Sequence, residues 1–305
     1  MRTLLGSGLL FAIVLSAGAG CGSGPAPFDE AAWKASEETH RADVEAELTS
    51  DGSWLTVAGL HFLTVGEHVV GSGEGADLRL PGRFPEVAVT VSWSADGKAF
   101  ARVAEGVEAT VGGEPFTEGE LVRGEGGAVH LDDRIRFWLH PSGERRALRL
   151  RNLDHPLRTN FTGREWFPLD ARFRVVADFE RYAERRYVEA INIRGDIEKY
   201  ESDGEAVFDW DGQEIRMQAF NRRNGDLFFV FSDGTSGVET YPSARFLEVP
   251  PPQDGRAVVD FNRAENPPCG FNAFTTCPTP PPQNRLSIRV EAGELRYHPG
   301  LAPTD

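Results

Sequence analysis

The chain has 305 residues and a formal net charge of −15, and it contains 33 Gly, 20 Pro and only 3 Cys. A hydrophobic share of 40% and a charged share of 26% are typical of a globular protein and exclude collagen, low complexity and wholesale disorder. The acidic balance argues against nucleic acid as a partner, because phosphate binding requires basic patches. The high Gly and Pro content favours a turn-rich β protein over a helical bundle.

Residues 1–20 have the pattern of a signal peptide. Arg2 is followed by an uncharged stretch over 4–20, which is too short to be a comfortable membrane span. It ends in Gly18-Ala19-Gly20-Cys21, which resembles a bacterial lipobox, although Gly18 occupies the position where such motifs usually carry Leu. We therefore predict an exported lipoprotein, with lipid attached at Cys21, a tether over 21–27 and a mild preference for the outer membrane. The alternative is an ordinary signal peptide that is cleaved nearby.

A single long helix is predicted over 28–51, with Asp29 as its N-cap and Trp33, Val44 and Leu48 as its apolar positions. Short apolar runs separated by Gly turns follow and predict a β-sandwich over 52–155. The strands of this series are expected at 54–60, 67–70, 77–80, 87–93, 99–103, 109–111, 128–131, 135–139 and 147–153.

A connector over 152–170 leads to a second antiparallel β domain, a sandwich or barrel, over 156–305. Its strands are expected at 173–179, 186–193, 206–210, 214–220, 227–231, 246–249, 257–261, 286–290 and 294–297. The run 226–231 is almost wholly apolar, which indicates a strand buried on both faces. The charged run 180–186 is interpreted as a solvated strand or hairpin edge. One continuous barrel-like domain is the alternative to two β domains.

The cysteines divide into two sets. If Cys21 carries lipid, Cys269 and Cys277 remain, and an exported protein meets an oxidising compartment. We therefore predict a disulfide between them, which stabilises the fold by roughly 2–3 kcal/mol through loop closure. A thiolate metal site is the alternative, but it needs two more soft ligands, and the segment between the cysteines contains no His or further Cys.

The C-terminal third contains a long motif. It begins with Asp233-x-Thr235 and Thr240-Tyr241-x-x-x-Arg245. It continues as Asp-Phe-Asn-Arg-Ala-x-Asn-Pro-Pro-Cys from Asp260 and as Cys-Pro-x-Pro-Pro-x-x-Asn-Arg-Leu from Cys277. This signature resembles a bacterial family of unknown function, domain of unknown function 1684. The resemblance includes Trp54-Leu55, Gly71-Ser72 and 292–294, and it implies kinship without implying a reaction.

The first β domain is similar to a degenerate forkhead-associated sandwich. The similarity rests on Val69-Val70-Gly71-Ser72 and on the run 76–81. That family supports phosphothreonine binding with a Ser and a His, but no Ser-x-x-His follows Pro81 here. The similarity therefore implies the architecture and not phosphopeptide binding.

The polar residues of the signature form the candidate binding site. Its members are Asp233, Thr235, Tyr241, Arg245, Asp260, Asn262 and Asn284. They predict a pocket for a small molecule or a protein, with carboxylates as hard ligands or acid–base groups and Arg245 as an anion-binding group. The competing interpretation is that Asx-turns fix the loops and that Asp233 or Asp260 holds Arg245 as a buried bidentate pair.

No nucleophile–base–orienter set is visible in the sequence, so binding is preferred over catalysis. The alternatives are a hydrolase that uses the same loop cluster and a purely structural lipoprotein. No cofactor and no metal site are predicted, and His61 and His68 are interpreted as packing or surface residues. The expected partners are the membrane, through the lipid anchor, and a small molecule or protein.

Overall fold

The computed structural model of the protein describes residues 28–297, so the predicted signal peptide, the tether and Cys21 lie outside the described part. The fold is mainly β with one long N-terminal helix, which confirms the predicted fold class. This helix, α1, spans Glu30–Thr49, and the Asp29 side chain caps it by accepting a 3.0 Å hydrogen bond from the Ala32 amide. No helix in the range 28–297 is long and apolar enough to cross a membrane.

Eighteen strands follow α1, and a short helix, α2 (Pro156–Thr159), separates them into two groups. The first group is β1 (Val57–Phe62), β2 (Gly66–Gly71), β3 (Leu78–Arg79), β4 (Val89–Trp93), β5 (Ala99–Val103), β6 (Thr110–Val111), β7 (Glu114–Pro115), β8 (Glu118–Glu120), β9 (Val129–His130), β10 (Ile135–Ser142) and β11 (Arg145–Asn152). The second group is β12 (Arg174–Ile191), β13 (Ile197–Trp210), β14 (Gln213–Gln218), β15 (Phe220–Asn221), β16 (Leu227–Phe231), β17 (Arg245–Val249) and β18 (Arg256–Asp260).

The first group forms a β-sandwich. One sheet has the order β1-β11-β10-β9-β6-β7 and the other has the order β3-β2-β4-β5-β8. Alternating residues of the two sheets share one core, in which Val89 and Val91 of β4 join Phe137 of β10 and Leu148 of β11. The sandwich is as predicted, whereas its closer similarity to the forkhead-associated fold stays a prediction.

The second group forms two further antiparallel sheets, ordered β14-β13-β12-β18 and β15-β16-β17, without a closed barrel among the described residues. Strand β16 is buried along its whole length, as its apolar run predicts. Leu227, Phe229 and Phe231 point into the core between the two sheets, whereas Phe228 and Val230 join a smaller cluster on the opposite face.

Strand β12 differs from the expectation. The sequence predicts two strands with a charged edge between them, but β12 is one strand of 18 residues. Its pairing with β13 shifts register between Arg181 and Arg186 and then continues on both sides. The charged side chains point outward along a twisted hairpin, so they do not interrupt the backbone ladder.

Helix α1 packs on the C-terminal part of the chain. The indole Nε1 of Trp33 donates a 2.7 Å hydrogen bond to Asp260 Oδ2, and Glu37 pairs with Arg263 at 2.7 Å. Arg158, in α2, donates a 3.0 Å hydrogen bond to the Thr49 carbonyl at the end of α1. The helix, the connector and the second group of strands therefore form one packed unit, the C-terminal unit.

Candidate functional site

Asp233 and Arg245 form a fully buried ion pair. Arg245 Nη1 lies 3.2 Å from Asp233 Oδ1 and donates a 3.0 Å hydrogen bond to the Val290 carbonyl, while Nη2 donates to the Ala292 carbonyl. Asp233 Oδ2 accepts from the Val290 amide at 2.7 Å, and Thr235 donates to the same carboxylate. The pair ties the β16–β17 connection to the segment 290–292, and Arg245 is only 1% exposed.

Gly293 belongs to the same arrangement, because its backbone has a φ of +83°. A Cβ atom at this position would lie 2.5 Å from the Ala264 carbonyl oxygen and 2.7 Å from Arg245 Nη2. Glycine is therefore required where the C-terminal segment crosses the buried pair.

Asp260 and Asn262 fix a different junction. Asp260 accepts the Trp33 indole and, through Oδ1, the backbone amide of Asn262 at 3.0 Å and its side-chain amide at 2.9 Å. Asn262 in turn donates to the Asp170 carbonyl and accepts from the Asp170 amide. These bonds join α1, the connector and the end of β18, and Asp260 borders a groove of 380 Å³ beside α1.

The other members of the predicted set also serve the loops. Asn284 is buried and bonds the amide and carbonyl of Gln218 at 2.7 and 2.9 Å. The Tyr241 hydroxyl donates a 2.9 Å hydrogen bond to the Cys269 carbonyl. Arg245 thus contacts Asp233, while Asp260 is bonded elsewhere. Their burial and internal bonds suit a role in fixing the loops, and a ligand role for the seven residues stays a prediction.

Cys269 and Cys277 are neighbours as two thiols, without a disulfide. The Cys269 amide donates a 3.2 Å hydrogen bond to Cys277 Sγ, so the two thiols are in contact range. This contact lowers the pKa of Cys269, whereas the same contact and burial raise the pKa of Cys277. The predicted disulfide is therefore not formed in the structure, although its partners lie side by side.

The main cavity is an open cleft of about 840 Å³ between α1 and the C-terminal sheets, a volume typical of small-molecule sites. The cleft-facing residues of α1 recur at helical spacing: His40, Asp43, Val44, Glu47 and Leu48. The opposite wall includes the aromatic side chains Tyr200, Phe228, Phe246 and Phe271. Part of the family signature lines the cleft as well, namely Arg263, Asn266, Pro268, Cys277 and Pro278.

A buried charge cluster lies at one side of this cleft. Arg164 Nη1 lies 2.7 Å from Glu265 Oε2 and 3.1 Å from Glu294 Oε2. Burial raises the pKa of Glu265, and it raises the pKa of Glu294 to about 7 against the opposing attraction of Arg164. One guanidinium balances only one carboxylate, so the second carboxyl group holds its proton near neutral pH.

His40 completes the cluster on the helix side. Its Nε2 lies 3.8 Å from Glu265 Oε1, and burial followed by the nearby Arg263 lowers the pKa of the imidazole. The Glu294 Oε1 atom has no hydrogen-bond partner among the described residues, whereas Oε2 accepts from Arg164 and from the Asn266 amide. This geometry suits a proton carried on Oε1 of Glu294.

The exposed charges of the cleft are mainly acidic. Arg222 pairs with Glu248 at 2.8 Å, and Arg263 is held by Glu37. Asp43 and Glu47 lie one turn apart on α1, and neither forms an ion pair with another described residue. The cleft therefore presents two uncompensated carboxylates opposite an aromatic wall.

Sequence reasoning did not identify this cleft. Arg164 lies 101 residues before its partner Glu265, and no local pattern in the sequence joins the two. The one available sign of the cleft was within the signature itself. Arg263, Glu265 and Asn266 lie directly after Asp260 and Asn262, which fix the loop.

The described part is thus a mainly β protein with a β-sandwich, a C-terminal unit and a cleft lined in part by a signature loop. A family model described as "Protein of unknown function (DUF1684)" matches residues 159–295. The chain belongs to this family, as its signature predicts.

Solved structures similar to the chain include an uncharacterised archaeal protein. The uncharacterised protein from gene locus rrnAC0354 of Haloarcula marismortui, solved by solution NMR, is 31% identical; the alignment covers 45% of this chain and 78% of that protein, with a TM-score of 0.39. No curated protein matches the chain significantly.

Proposed function

We propose that the protein is an exported, lipid-anchored envelope protein that binds a small ligand in the cleft of its C-terminal unit. The export and anchor part of this proposal is supported by the uncharged stretch 4–20 and by the Cys21 that follows it. Replacing Cys21→Ala should release the protein from the membrane fraction and abolish incorporation of labelled fatty acid. Unchanged fractionation of the variant would remove the anchor.

The observation that carries the binding role is the position of the signature at the cleft. Asp260, Asn262 and Asn284 fix the loops from inside, and the same signature presents Arg263 and Asn266 to the cavity. A rigid framework that holds polar side chains at the wall of an 840 Å³ cleft is the arrangement expected of a binding site.

The chemistry of the cleft favours a cationic ligand with an apolar body. Asp43 and Glu47 supply negative charge without an ion-pair partner among the described residues, and Phe228 and Phe246 are aromatic residues of the cavity lining. A positive charge is attracted both by carboxylates and by aromatic faces. Phe228 already stacks with the guanidinium of Arg222, whose carbon lies 3.8 Å from the ring centroid.

A matched pair of probes and variants tests this role. The benzylammonium ion should bind to the purified protein more tightly than uncharged benzyl alcohol, as measured by calorimetry. Glu47→Gln should weaken benzylammonium binding about fivefold, for a charge contact worth about 1 kcal/mol. Glu38→Gln removes an exposed carboxylate of the same helix outside the cleft and should leave the affinity unchanged. Equal binding of both probes would contradict the proposal.

An enzyme that works in the same cleft is the second candidate function. It is favoured by Glu265, a cleft-lining carboxyl group with a raised pKa beside His40, since a carboxyl group perturbed in this way is a candidate for proton transfer. Cys277 is unsuited as the nucleophile, because its raised pKa keeps the thiol protonated. Loss of turnover of a candidate ester or amide substrate in Glu265→Gln, with ligand binding retained, would favour this function.

The Cys269–Cys277 disulfide remains part of the proposal. The adjacent thiols require only oxidation to close the loop, and the oxidising compartment outside the cytoplasm supplies it. Thiol titration of protein isolated from the envelope should detect neither cysteine before reduction and both after it.

A further inference from the structure

A cluster of three potential metal ligands lies in the β-sandwich, and none of the three lines the cleft. His61 is in β1, His68 is in β2, and Asp77 directly precedes β3. The chain crosses from one sheet to the other between β1 and β2, and the parallel pairing of β2 with β3 brings Asp77 to the same edge. We propose that these three side chains form a zinc site.

The spacing of the ligand atoms fits a single ion. His61 Nε2 lies 2.9 Å from His68 Nδ1 and 3.6 Å from Asp77 Oδ1, and His68 Nδ1 lies 3.9 Å from Asp77 Oδ2. In a tetrahedral zinc site with bonds of about 2.0–2.1 Å, neighbouring ligand atoms are about 3.3 Å apart. The two carboxylate distances are to different oxygens of Asp77, but one ligand atom from each of the three residues lies within 4.8 Å of the other two, so small side-chain displacements bring all three ligands to one ion.

The hydrogen bonds around His68 leave the correct nitrogen available. His68 Nε2 lies 2.8 Å from the Thr64 carbonyl oxygen and 3.3 Å from the Thr64 amide nitrogen, and the shorter contact to the carbonyl favours the ring proton on Nε2 and the lone pair on Nδ1. A histidine ligand held through its other nitrogen by a backbone carbonyl is typical of zinc sites. His68 is buried, so this orientation is fixed before an ion arrives.

The other two ligands are ready for binding as well. In the metal-free state His61 Nε2 donates to His68 Nδ1, and on metal binding that proton moves to His61 Nδ1, which leaves Nε2 free to coordinate. Asp77 Oδ2 accepts a 2.8 Å hydrogen bond from the Val69 amide, which orients the carboxylate.

The site is partly open to solvent. The side chains of His61 and Asp77 are 26% and 33% exposed, while that of His68 is 6% exposed. Three protein ligands leave the fourth position of a tetrahedral ion for water or for an external ligand. Two imidazoles and one carboxylate suit zinc better than magnesium, which prefers oxygen ligands. This inference does not rest on the function proposed for the cleft.

Zinc binding by the full chain, stripped of metal by a chelator, tests the inference. Calorimetry should show zinc binding, and zinc but not magnesium should raise the unfolding temperature. His61→Ala and Asp77→Asn should each weaken binding by about 100-fold. Asn at position 77 keeps an oxygen for the Val69 amide, so this variant changes the metal ligand and preserves the local hydrogen bond.

Two further variants separate this site from other possibilities. His130→Ala removes a histidine elsewhere in the sandwich, and Cys269→Ser removes the less buried of the two thiols in the C-terminal unit. Both should bind zinc as the unmodified protein does. The proposal is overturned if zinc does not bind, if it binds His61→Ala and Asp77→Asn unchanged, or if Cys269→Ser is the variant that loses it. Absorption of bound cobalt in the visible range, absent from His61→Ala, provides a second measurement that does not depend on stability.

Discussion

Replacing Glu294 with Gln should make the stability of the protein less sensitive to pH. Glu294 is 1% exposed and shares the Arg164 guanidinium with Glu265. Burial raises the pKa of Glu294 from 4.5 to about 7 in the folded state. Between these two values the folded chain holds a proton that the unfolded chain has released. Raising the pH through this window therefore lowers the free energy of unfolding.

The magnitude follows from the change in pKa. At about 1.36 kcal/mol per pH unit, a rise from 4.5 to about 7 corresponds to a loss of about 3 kcal/mol in the free energy of unfolding once the pH exceeds 7. Gln has nearly the shape of a protonated Glu and can accept the same bonds from Arg164 and from the Asn266 amide. Glu294→Gln should therefore lack this loss.

Urea denaturation followed by tryptophan fluorescence at pH 5, 6, 7 and 8 provides the assay. The free energy of unfolding of the unmodified protein, minus that of Glu294→Gln, should fall by about 3 kcal/mol across the full window. Glu291→Gln, an exposed change three residues earlier, serves as the control and should follow the unmodified protein. Parallel pH profiles for Glu294→Gln and the unmodified protein would refute the argument that Glu294 is held neutral.

Two further predictions concern the buried framework. Arg245→Met should lower the free energy of unfolding by about 3–5 kcal/mol, because it leaves the Asp233 carboxylate buried without its partner. Arg285→Met, at an exposed position, should cost far less in the same urea experiment, and equal losses would contradict the buried pair. Trp33→Phe should cost about 2 kcal/mol, because Asp260 loses a buried hydrogen bond to the indole. In Trp33→Phe, amide hydrogen exchange should become faster in α1 before it does so elsewhere. Unchanged exchange in α1 would show that the bond between Trp33 and Asp260 does not hold the helix in place.

Local patterns in the sequence predicted much of the fold. The apolar run that became β16 predicted burial on both faces, and the structure divides its residues between two clusters. The N-cap at Asp29 and the apolar positions of α1 predicted one helix, which is present. These features depend on neighbours within a few positions, where periodicity and capping chemistry are informative.

The candidate site was less predictable, because its contacts join distant parts of the chain. The signature suggested that Arg245 pairs with Asp233 or Asp260, and only the folded geometry selects Asp233. Arg164 lies in a connector without a distinctive motif, and its two carboxylate partners follow 101 and 130 residues later. No periodic pattern encodes such a contact. The neighbourhood of His61 and His68 was also missed, since it depends on a crossing between two sheets.

The sandwich is inserted into the C-terminal unit, between α1 and α2. Helix α1 ends at Thr49, and Arg158, just beyond the sandwich, bonds the Thr49 carbonyl at 3.0 Å and pairs with Asp51 at 2.7 Å. The chain therefore leaves the C-terminal unit and returns to it at almost the same point, with the whole sandwich between. Insertions whose two ends meet in this way add a module without disturbing the parent fold.

The same route sets an order of events during synthesis. Trp33 leaves the ribosome 227 positions before its partner Asp260. Helix α1 therefore lacks this partner until β18 has been made. The sandwich contains all of its own strands before that point and can fold first. The C-terminal unit is complete only when β18 can pack against α1. A chain truncated before β18 would therefore contain a complete sandwich and an incomplete C-terminal unit.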